Sequence, residues 1–468
     1  MALLKPDPSF YASPREAIQA PPETLAYVAT LNVGTNGDRA PDALSVLDLD
    51  KGSDTFGQLV GRADMPNVGD ELHHFGWNAC SSALCPWAPH PHVERQYLLV
   101  PGLRSSRIHV IDVKSDRHQP KIVKVIEPEE IAEKTGYSRP HTIHCGPDGI
   151  YVSALGNPEG DGPGGIFLLD HENFSVKGPW ETDHGPQELH YDFWWHLNHG
   201  VLISSEWGTP NMVEGGLQPD LLLGGKYGHQ LHVWDLETRS HKQAIDLGPE
   251  QQMVLELRPA HDPRKQYGFV GVVVSTADLT ASVWLWERGD DGNVSVTKVI
   301  EIPPEPAEED QLPPALKPFG AVPPLITDID LSVDDRDLVV SCWGTGELKR
   351  FDVSDPRNPR ETGSVRLDGI VERASHPASG ELNGGPQMVE ISRDGRRVYL
   401  TNSLYAAWDE QFYPAGIDGW LVRLDAPEGG GLTIDPDLFV EFDKKERPHQ
   451  VRLEGGDASS DSYCFPND

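Results

Sequence analysis

Short apolar runs that end on an acidic residue recur seven times along the chain. Each run is five or six residues long and rich in Val, Ile, Leu and aromatic residues, which is typical of a β-strand. The acidic residues that end the runs are separated by 64, 58, 65, 52, 65 and 73 positions. The runs occupy residues 43–48, 108–112, 166–170, 231–235, 283–287, 348–352 and 421–425. Since a repeat of this length holds about four strands, the pattern predicts seven four-stranded sheets.

Such a sheet has two apolar faces that it cannot bury by itself, so repeated sheets of this size stack radially around an axis. Their innermost strands then line a central channel. The 46 glycines and 41 prolines suit the many turns of this fold, and long amphipathic helical patterns are not evident. We therefore predict an all-β fold, a seven-bladed β-propeller that forms a single domain over residues 1–468.

The first repeat lacks an inner strand, and this predicts how the ring closes. In the third repeat, residues 140–144 form the inner strand, residues 149–155 the second, and the apolar run the third. In the first repeat, the strand at residues 25–31 and the run at 43–48 follow the N-terminus directly. Residues 447–453 copy the Arg-Pro-His pattern of the third repeat. We expect this C-terminal segment to pair with the N-terminal blade and leave no open sheet edge.

A segment rich in proline and acidic residues interrupts the pattern at residues 302–324. Prolines this dense exclude both a helix and a central strand. The segment is therefore expected to be an extended surface loop, with a lid over one mouth of the channel as the alternative.

The charge balance limits the classes of partner. The chain has 39 Lys and Arg against 73 Asp and Glu, a net charge of −34, which argues against nucleic acid or an anionic membrane surface. No stretch approaches the roughly 20 apolar residues that cross a bilayer, and the N-terminus lacks the apolar core of a signal peptide. A cytoplasmic protein is expected. Its five cysteines are sparse and are interpreted as thiols rather than as a disulfide framework.

Histidines cluster in the segments assigned as inner strands. Because inner strands of different blades meet at the axis, imidazoles far apart in sequence can approach one another. Imidazole suits copper, zinc, iron or nickel, and three or four such ligands leave a position for substrate. The alternative is that these histidines only satisfy backbone groups or line a wet channel. The candidate ligands are His74, His141, His144 and His449, followed by His261 and by His73, which as a strand neighbour of His74 is expected to face the other way.

Acids and amides occupy comparable positions of the other inner strands. Such groups commonly orient ligating imidazole rings by accepting their second N–H. The candidates for this role are Gln187, Glu188, Glu256, Asp328, Asp330, Gln387 and Glu390.

Two cysteines adjoin the candidate histidines. Cys80 follows the His73-His74 pair closely and is either a soft metal ligand or nucleophile, or a buried inert residue. Cys145 adjoins His144, and because strand neighbours point to opposite faces it is expected in the core.

Several long motifs occupy residues 70–82, 105–112, 139–145, 191–195, 205–208, 341–347, 384–388 and 401–405. These motifs resemble those of the selenium-binding protein family, and the resemblance covers nearly the whole chain.

This resemblance implies a methanethiol oxidase activity that converts methanethiol, oxygen and water to formaldehyde, hydrogen sulfide and hydrogen peroxide, with copper as the metal. It also places the family's selenium-linked cysteine on Cys80. Relatives often have a second cysteine three positions later, where this chain has Ala83 and then Cys85, so a Cys-x-x-Cys redox pair is not expected. The alternative function is a non-catalytic propeller that binds selenium or partner proteins, in keeping with the single Trp234-Asp235 pair that resembles a WD-repeat ending.

Overall fold

Seven four-stranded antiparallel sheets form the ring of a β-propeller in the computed structural model. The structure describes residues 10–34, 39–81, 93–371, 374–377 and 380–466. The predicted fold class is confirmed. Six of the seven apolar runs lie within the third strand of their blade, counted from the channel, and the run at 166–170 ends one residue after its strand.

Blades 1 to 4 carry the N-terminal half of the ring, and each blade has four strands that follow one another from the channel outward. Blade 1 comprises Glu446–Leu453, Leu25–Asn32, Ala43–Asp48 and Leu59–Asp64. Blade 2 comprises Gly76–Trp77, Tyr97–Pro101, Ile108–Asp112 and Lys121–Ile126. Blade 3 comprises Ser138–Cys145, Ile150–Gly156, Gly165–Leu169 and Val176–Pro179. Blade 4 comprises Phe193–His196, Val201–Ser204, Gln230–Asp235 and Ser240–Asp246.

Blades 5 to 7 complete the ring in the same order. Blade 5 comprises Gln251–Pro259, Tyr267–Ser275, Ala281–Arg288 and Val294–Ile302. Blade 6 comprises Ile326–Leu331, Asp337–Cys342, Glu347–Asp352 and Arg360–Arg366. Blade 7 comprises Val389–Ile391, Arg397–Thr401, Trp420–Asp425 and Thr433–Glu441. Two small hairpins pair Glu305–Pro306 with Ala321–Val322 and Ser375–His376 with Gly380–Glu381.

Helices are short and lie in the connections. The α-helices are Pro14–Ile18, Pro128–Thr135, Pro210–Val213, Pro219–Leu223 and Ala406–Phe412, and the 3₁₀ turns are Leu197–His199 and Lys317–Phe319. In the part of the chain that is described, no helix has the length and apolarity to span a membrane.

The C-terminal strand closes the ring as the sequence predicts. Glu446–Leu453 pairs antiparallel with Leu25–Asn32, with Val451 opposite Val28. Val28 and Val451 are buried, so the joint between the two chain ends has the same apolar packing as the inside of any other blade.

The aspartates that end the apolar runs cap the turn into the outermost strand. The Asp170 carboxylate accepts the backbone N–H groups of Glu172 and Asn173 at 3.0 and 3.1 Å. Asp235 accepts the N–H of Thr238 at 2.8 Å, and Asp352 accepts that of Ser354 at 3.0 Å. An aspartate in this position satisfies turn N–H groups that no strand partner reaches, which explains why the residue recurs with the repeat.

The proline-rich segment packs against one end of the channel. Leu312 and Leu316 are buried in an apolar cluster that also contains Met253, Trp343 and Trp408. The segment therefore contributes apolar cover rather than lying fully exposed.

The cysteines do not all remain thiols. Cys80, Cys145 and Cys342 are thiols, whereas Cys464 is disulfide-bonded. The interpretation of every cysteine as a thiol is therefore wrong for Cys464, because sequence spacing does not reveal which residues the ring brings together. The positions of Ala83 and Cys85 lie outside the described residues.

Candidate metal centre

Three histidines from two neighbouring blades converge at the inner wall of the channel. His73, His74 and His449 each offer one ring nitrogen, and these three nitrogens all lie within 4.8 Å of one another. All three side chains are buried. It is the one group of three or more potential metal ligands found this close together in the described parts of the chain.

The ring closure and a break in strand structure together position these side chains. His449 lies in the middle of the C-terminal strand that forms the inner strand of blade 1. His73 and His74 precede the inner strand of blade 2, in a segment without regular strand pairing. Strand alternation therefore does not apply to this pair, and both rings reach the cluster: His73 lies 3.6 Å from His449 and 5.1 Å from His74 between ring centroids.

Backbone carbonyls fix the tautomers of two of these rings. His449 donates Nδ1–H to the carbonyl of Ser403 at 2.7 Å, and His73 donates Nε2–H to the carbonyl of Leu404 at 3.1 Å. A carbonyl can only accept, so the opposite nitrogen of each ring carries a lone pair. Metal-ligating histidines typically use their second nitrogen in this way.

The remaining ring nitrogens have no hydrogen-bond partner. His73 Nδ1, His74 Nε2 and His449 Nε2 are buried without one, and so is Nε2 of nearby His141. An unsatisfied buried polar group costs about 1–3 kcal/mol, and four of them together are unusual for a native structure. The donor set therefore fits a transition metal that imidazole prefers.

Burial keeps these imidazoles neutral. It lowers the pKa of His449 to about 3 and holds the pKa of His73, His74 and His141 well below the ordinary value for histidine. Repulsion between the protonated forms of neighbouring rings adds to this effect: His449 and His141 lower the pKa of His73 further. A neutral imidazole is the form that binds metal.

His141 from the inner strand of blade 3 borders the group. Its ring centroid lies 4.1 Å from that of His74 and 4.9 Å from that of His73. Its Nδ1 lies 3.0 Å from the Thr142 hydroxyl, which leaves Nε2 without a partner. His141 is thus placed as a fourth ring beside the three that converge most tightly.

The structure does not bring His144 and His261 to this group. His144 lies three residues beyond His141 on the same strand, about 10 Å further at the usual rise per residue, and its ring packs on Trp194 at 3.9 Å. His261 lies beyond the inner strand of blade 5 and hydrogen-bonds through Nε2 to the Leu331 carbonyl at 3.0 Å. Both belong to the end of the channel where the inner strands finish.

Glu256 is the acidic residue that reaches the histidines. Its Oε1 lies 3.5 Å from Nε2 of His74 and accepts a hydrogen bond from the Tyr191 hydroxyl at 2.8 Å. The Tyr191 ring in turn contacts His141, with centroids 4.2 Å apart. Tyr191 and Glu256 therefore form a polar pair on one side of the site.

Other predicted acidic partners instead join neighbouring inner strands. Asp328 accepts the backbone N–H of Val389 at 2.8 Å, and Asp330 accepts that of Ile391 at 2.8 Å. These contacts fasten blade 6 to blade 7 and do not involve the candidate ligands.

One buried arginine is surrounded by four carboxyl groups below the histidines. The Arg258 guanidinium lies within 3.8 Å of all four, which belong to Asp192, Glu256, Asp328 and Asp330. Burial raises the pKa of Asp192 to about 7 and that of Asp330 to about 6. At this part of the channel wall, four carboxyl groups therefore surround one basic side chain.

An apolar cluster covers the other side of the histidines. It includes Leu404, whose carbonyl accepts the hydrogen bond from His73, and Tyr405, whose ring centroid lies 6.2 Å from that of His73. Trp408 extends the cluster and donates its indole N–H to the Val213 carbonyl at 2.8 Å. Tyr191 and Tyr405 were not predicted as site residues, although both stand in motifs that carried the family resemblance.

Cys80 lies apart from the histidines. It is half-buried and packs with Phe10, Ala79, Val93 and Cys145 in a small cluster. Since Cys145 follows His141 by four strand residues, this cluster lies about 13 Å further along the channel wall. The structure places Cys80 beside a second cysteine rather than beside the candidate ligands.

Comparisons with known proteins cover almost the entire chain. A human methanethiol oxidase is 40% identical over 478 aligned positions, 97% of this chain and 98% of that protein. Selenium-binding protein 1 of Arabidopsis thaliana is 39% identical over 97% of this chain and 94% of that protein. The X-ray structure of a hypothetical selenium-binding protein from Sulfolobus tokodaii superposes with a TM-score of 0.95 at 57% identity, over 98% of this chain and 100% of that one. The family model described as 56kDa selenium binding protein (SBP56) matches residues 4–464, and the chain belongs to this family.

Proposed function

We propose that this protein is a methanethiol oxidase that holds copper in the histidine cluster of the channel. The proposed reaction converts methanethiol, oxygen and water to formaldehyde, hydrogen sulfide and hydrogen peroxide. The observation that supports this proposal most directly is the convergence of His73, His74 and His449. Each has a buried ring nitrogen that lacks a hydrogen-bond partner. Relatives named methanethiol oxidase at about 40% identity support the choice of reaction.

The proposed ligands leave room for a small substrate. Three imidazoles, with His141 as a fourth candidate, fill at most four positions around a metal and suit copper or zinc. Copper would supply one-electron chemistry with oxygen and would lower the pKa of a thiol bound to it. The chain itself supplies the fixed tautomers of His73 and His449, and inner strands carry the rings of His449 and His141.

The surroundings of the site suit a small, weakly polar reactant. Tyr405, Leu404 and Trp408 provide an apolar wall that excludes water on one side. On the other side, Tyr191 and Glu256 offer a hydroxyl and a carboxyl group that could hold a proton during turnover. Exclusion of water strengthens every electrostatic interaction inside such a site.

Metal content and turnover test this proposal together. Protein purified without chelator is expected to contain about one copper per chain and to release peroxide and formaldehyde when methanethiol is added. Chelation should abolish both products, and copper rather than zinc should restore them. His144→Ala is the matched control, because it changes a buried inner-strand histidine outside the cluster and should retain copper and activity.

The competing function is a non-catalytic propeller that binds selenium or another protein. Copper-loaded protein that consumes no methanethiol and releases no peroxide would favour it. Retention of selenium in a Cys80-dependent manner, without turnover, would favour the selenium-binding form of that alternative.

A further inference from the structure

Two cysteine side chains from neighbouring blades lie in contact at the end of the channel away from the histidine cluster. Cys80 and Cys145 share a side-chain hydrogen bond and pack in the same small apolar cluster. Both are thiols. They stand 65 positions apart in the sequence, so the fold rather than the local chain brings them together.

The close approach of two inner strands produces this contact. The inner strand of blade 2 runs beside that of blade 3, and a Cβ added to Gly76 would lie 2.1 Å from the Ile143 carbonyl oxygen. Only glycine tolerates this distance. Cys80 follows Gly76 by four residues and Cys145 follows Ile143 by two, so both cysteines extend from the point where the strands are closest.

The two thiols differ in exposure and surroundings. Cys80 is half-buried and therefore open to small reagents, and Arg95 lies close enough to interact with it electrostatically. Cys145 is buried, and its sulfur lies 3.9 Å from Nε2 of His171. The hydrogen bond with Cys80, together with burial, holds the pKa of the Cys145 thiol well above its ordinary value. Cys80 is consequently the residue that meets a reagent first.

We propose that Cys80 and Cys145 form a peroxide-sensitive redox pair that converts reversibly between two thiols and a disulfide. Cys80 attacks hydrogen peroxide, the O–O bond breaks, and one water leaves as Cys80 becomes a sulfenic acid. The Cys145 sulfur then attacks the Cys80 sulfur while the Cys145 thiol proton passes to the leaving hydroxyl, so the S–O bond breaks, the S–S bond forms and the second water leaves. Two thiols lose two electrons, peroxide gains two, and a small dithiol reverses the reaction.

Oxidation would fasten two parts of the channel end to each other. Ser81, next to Cys80, donates its backbone N–H to the Asp461 carboxylate at 2.6 Å, so this segment also holds the C-terminal tail. A disulfide between Cys80 and Cys145 would covalently link blade 3 to the segment that binds the C-terminal tail through Ser81. The redox pair does not depend on the proposed oxidase activity, because added peroxide serves as the oxidant.

Peptide mapping after peroxide treatment tests the pair. Full-length protein is reduced, treated with a small excess of hydrogen peroxide, blocked with N-ethylmaleimide and digested. Mass spectrometry should show the Cys80 peptide linked to the Cys145 peptide, with a loss of about two mass units relative to the two thiols. Dithiothreitol should remove the link. Cys342→Ser is the matched control and should form the same link, since Cys342 is buried in blade 6.

The single variants decide whether Cys145 resolves the oxidised Cys80. Cys145→Ser should remove the link and increase irreversible sulfinic acid at Cys80 at least about tenfold, because no neighbouring thiol intercepts the sulfenic acid. If that variant does not fold, Cys145→Ala replaces it. The proposal is overturned if Cys145 remains fully alkylated after treatment, if Cys80 links to Cys464 instead, or if loss of Cys145 leaves sulfinic acid at Cys80 unchanged.

Discussion

His449 and His73 lie against each other, with ring centroids 3.6 Å apart, although one comes from the last strand of the ring and the other from before the second blade. The contact exists only when the C-terminal strand has paired with Leu25–Asn32. Ring closure and assembly of the histidine cluster are therefore the same structural event.

Replacement of one proposed ligand should remove metal and leave the fold intact. His449→Ala takes away a ring whose Nε2 is buried without a partner, so it deletes a metal donor together with a group that costs free energy in the metal-free protein. We expect at least a roughly 10- to 100-fold loss of copper affinity, and a fall in the melting temperature of the metal-free protein no larger than that of a comparable buried His→Ala change. Copper content by mass spectrometry and a melting curve measure the two effects.

His261→Ala is the control for that experiment. Like His449, His261 is buried and bonds one backbone carbonyl, that of Leu331, so its loss should lower stability by a similar amount and leave copper content unchanged. A His261 variant that lost copper while the His449 variant kept it would contradict the proposed ligand set.

Deletion of the C-terminal strand should open the ring. Removal of residues 446–468 leaves Leu25–Asn32 with an unpaired edge and exposes the apolar face that Val451 and Leu453 cover. The cost is several kcal/mol against a total stability of about 5–15 kcal/mol, so the truncated chain should aggregate. Size-exclusion chromatography gives the readout, and removal of residues 465–468 alone should leave a soluble protein that elutes like the full chain. A soluble, copper-loaded chain without residues 446–468 would refute the closure argument.

The buried histidines should make the metal-free protein lose stability in mild acid. Burial lowers the pKa of His449 to about 3 from an ordinary value of 6.5. Below pH 6.5 the unfolded chain binds protons that the native ring does not, so stability is complete above pH 6.5 and declines as the pH falls towards 3. Urea unfolding of chelator-treated protein at a series of pH values should show this decline, and His449→Ala should make it shallower. An unchanged slope in the variant would show that His449 is not the titrating group.

The turn aspartates should act in a lower pH range. Hydrogen bonds from turn N–H groups lower the pKa of Asp170, Asp235 and Asp352 below their ordinary value of 3.8. Their contribution is therefore present above about pH 4 and is lost as the pH falls through the lowered values. A triple Asp→Ala variant should unfold at lower urea concentration at pH 7 and approach the parent at pH 3. A constant difference between the two proteins at both pH values would argue against turn capping by the carboxylates.

The fold was predictable because its signal repeats. Seven apolar runs, each closed by an acidic residue that usually caps a turn, fix the blade number, and the Arg-Pro-His pattern shared by the third repeat and residues 447–449 reveals the closing strand. The convergence of inner-strand histidines was also predictable, since equivalent strand positions meet at the axis. The sequence could not give their height along the channel: His141 and His144 share one strand, yet the strand rise separates them.

Details that depend on irregular backbone could not be predicted from the sequence. Strand alternation predicted that His73 faces away from His74, but the segment that holds both is not a paired strand and both rings join the cluster. The contact between Cys80 and Cys145 depends on how closely two blades approach at Gly76, which only the folded ring shows.

The four carboxyl groups around Arg258 can store protons within the channel wall. Burial raises the pKa of Asp328 as well as the pKa values of Asp192 and Asp330, so the group does not carry its full formal negative charge at neutral pH. A proton released near the histidines would be drawn towards the carboxyl groups of Asp192 and Asp330. Their pKa values of about 7 and 6 allow them to exchange protons near neutral pH. Near neutral pH, the charge of this part of the propeller axis therefore varies with the protonation of two buried aspartates, Asp192 and Asp330.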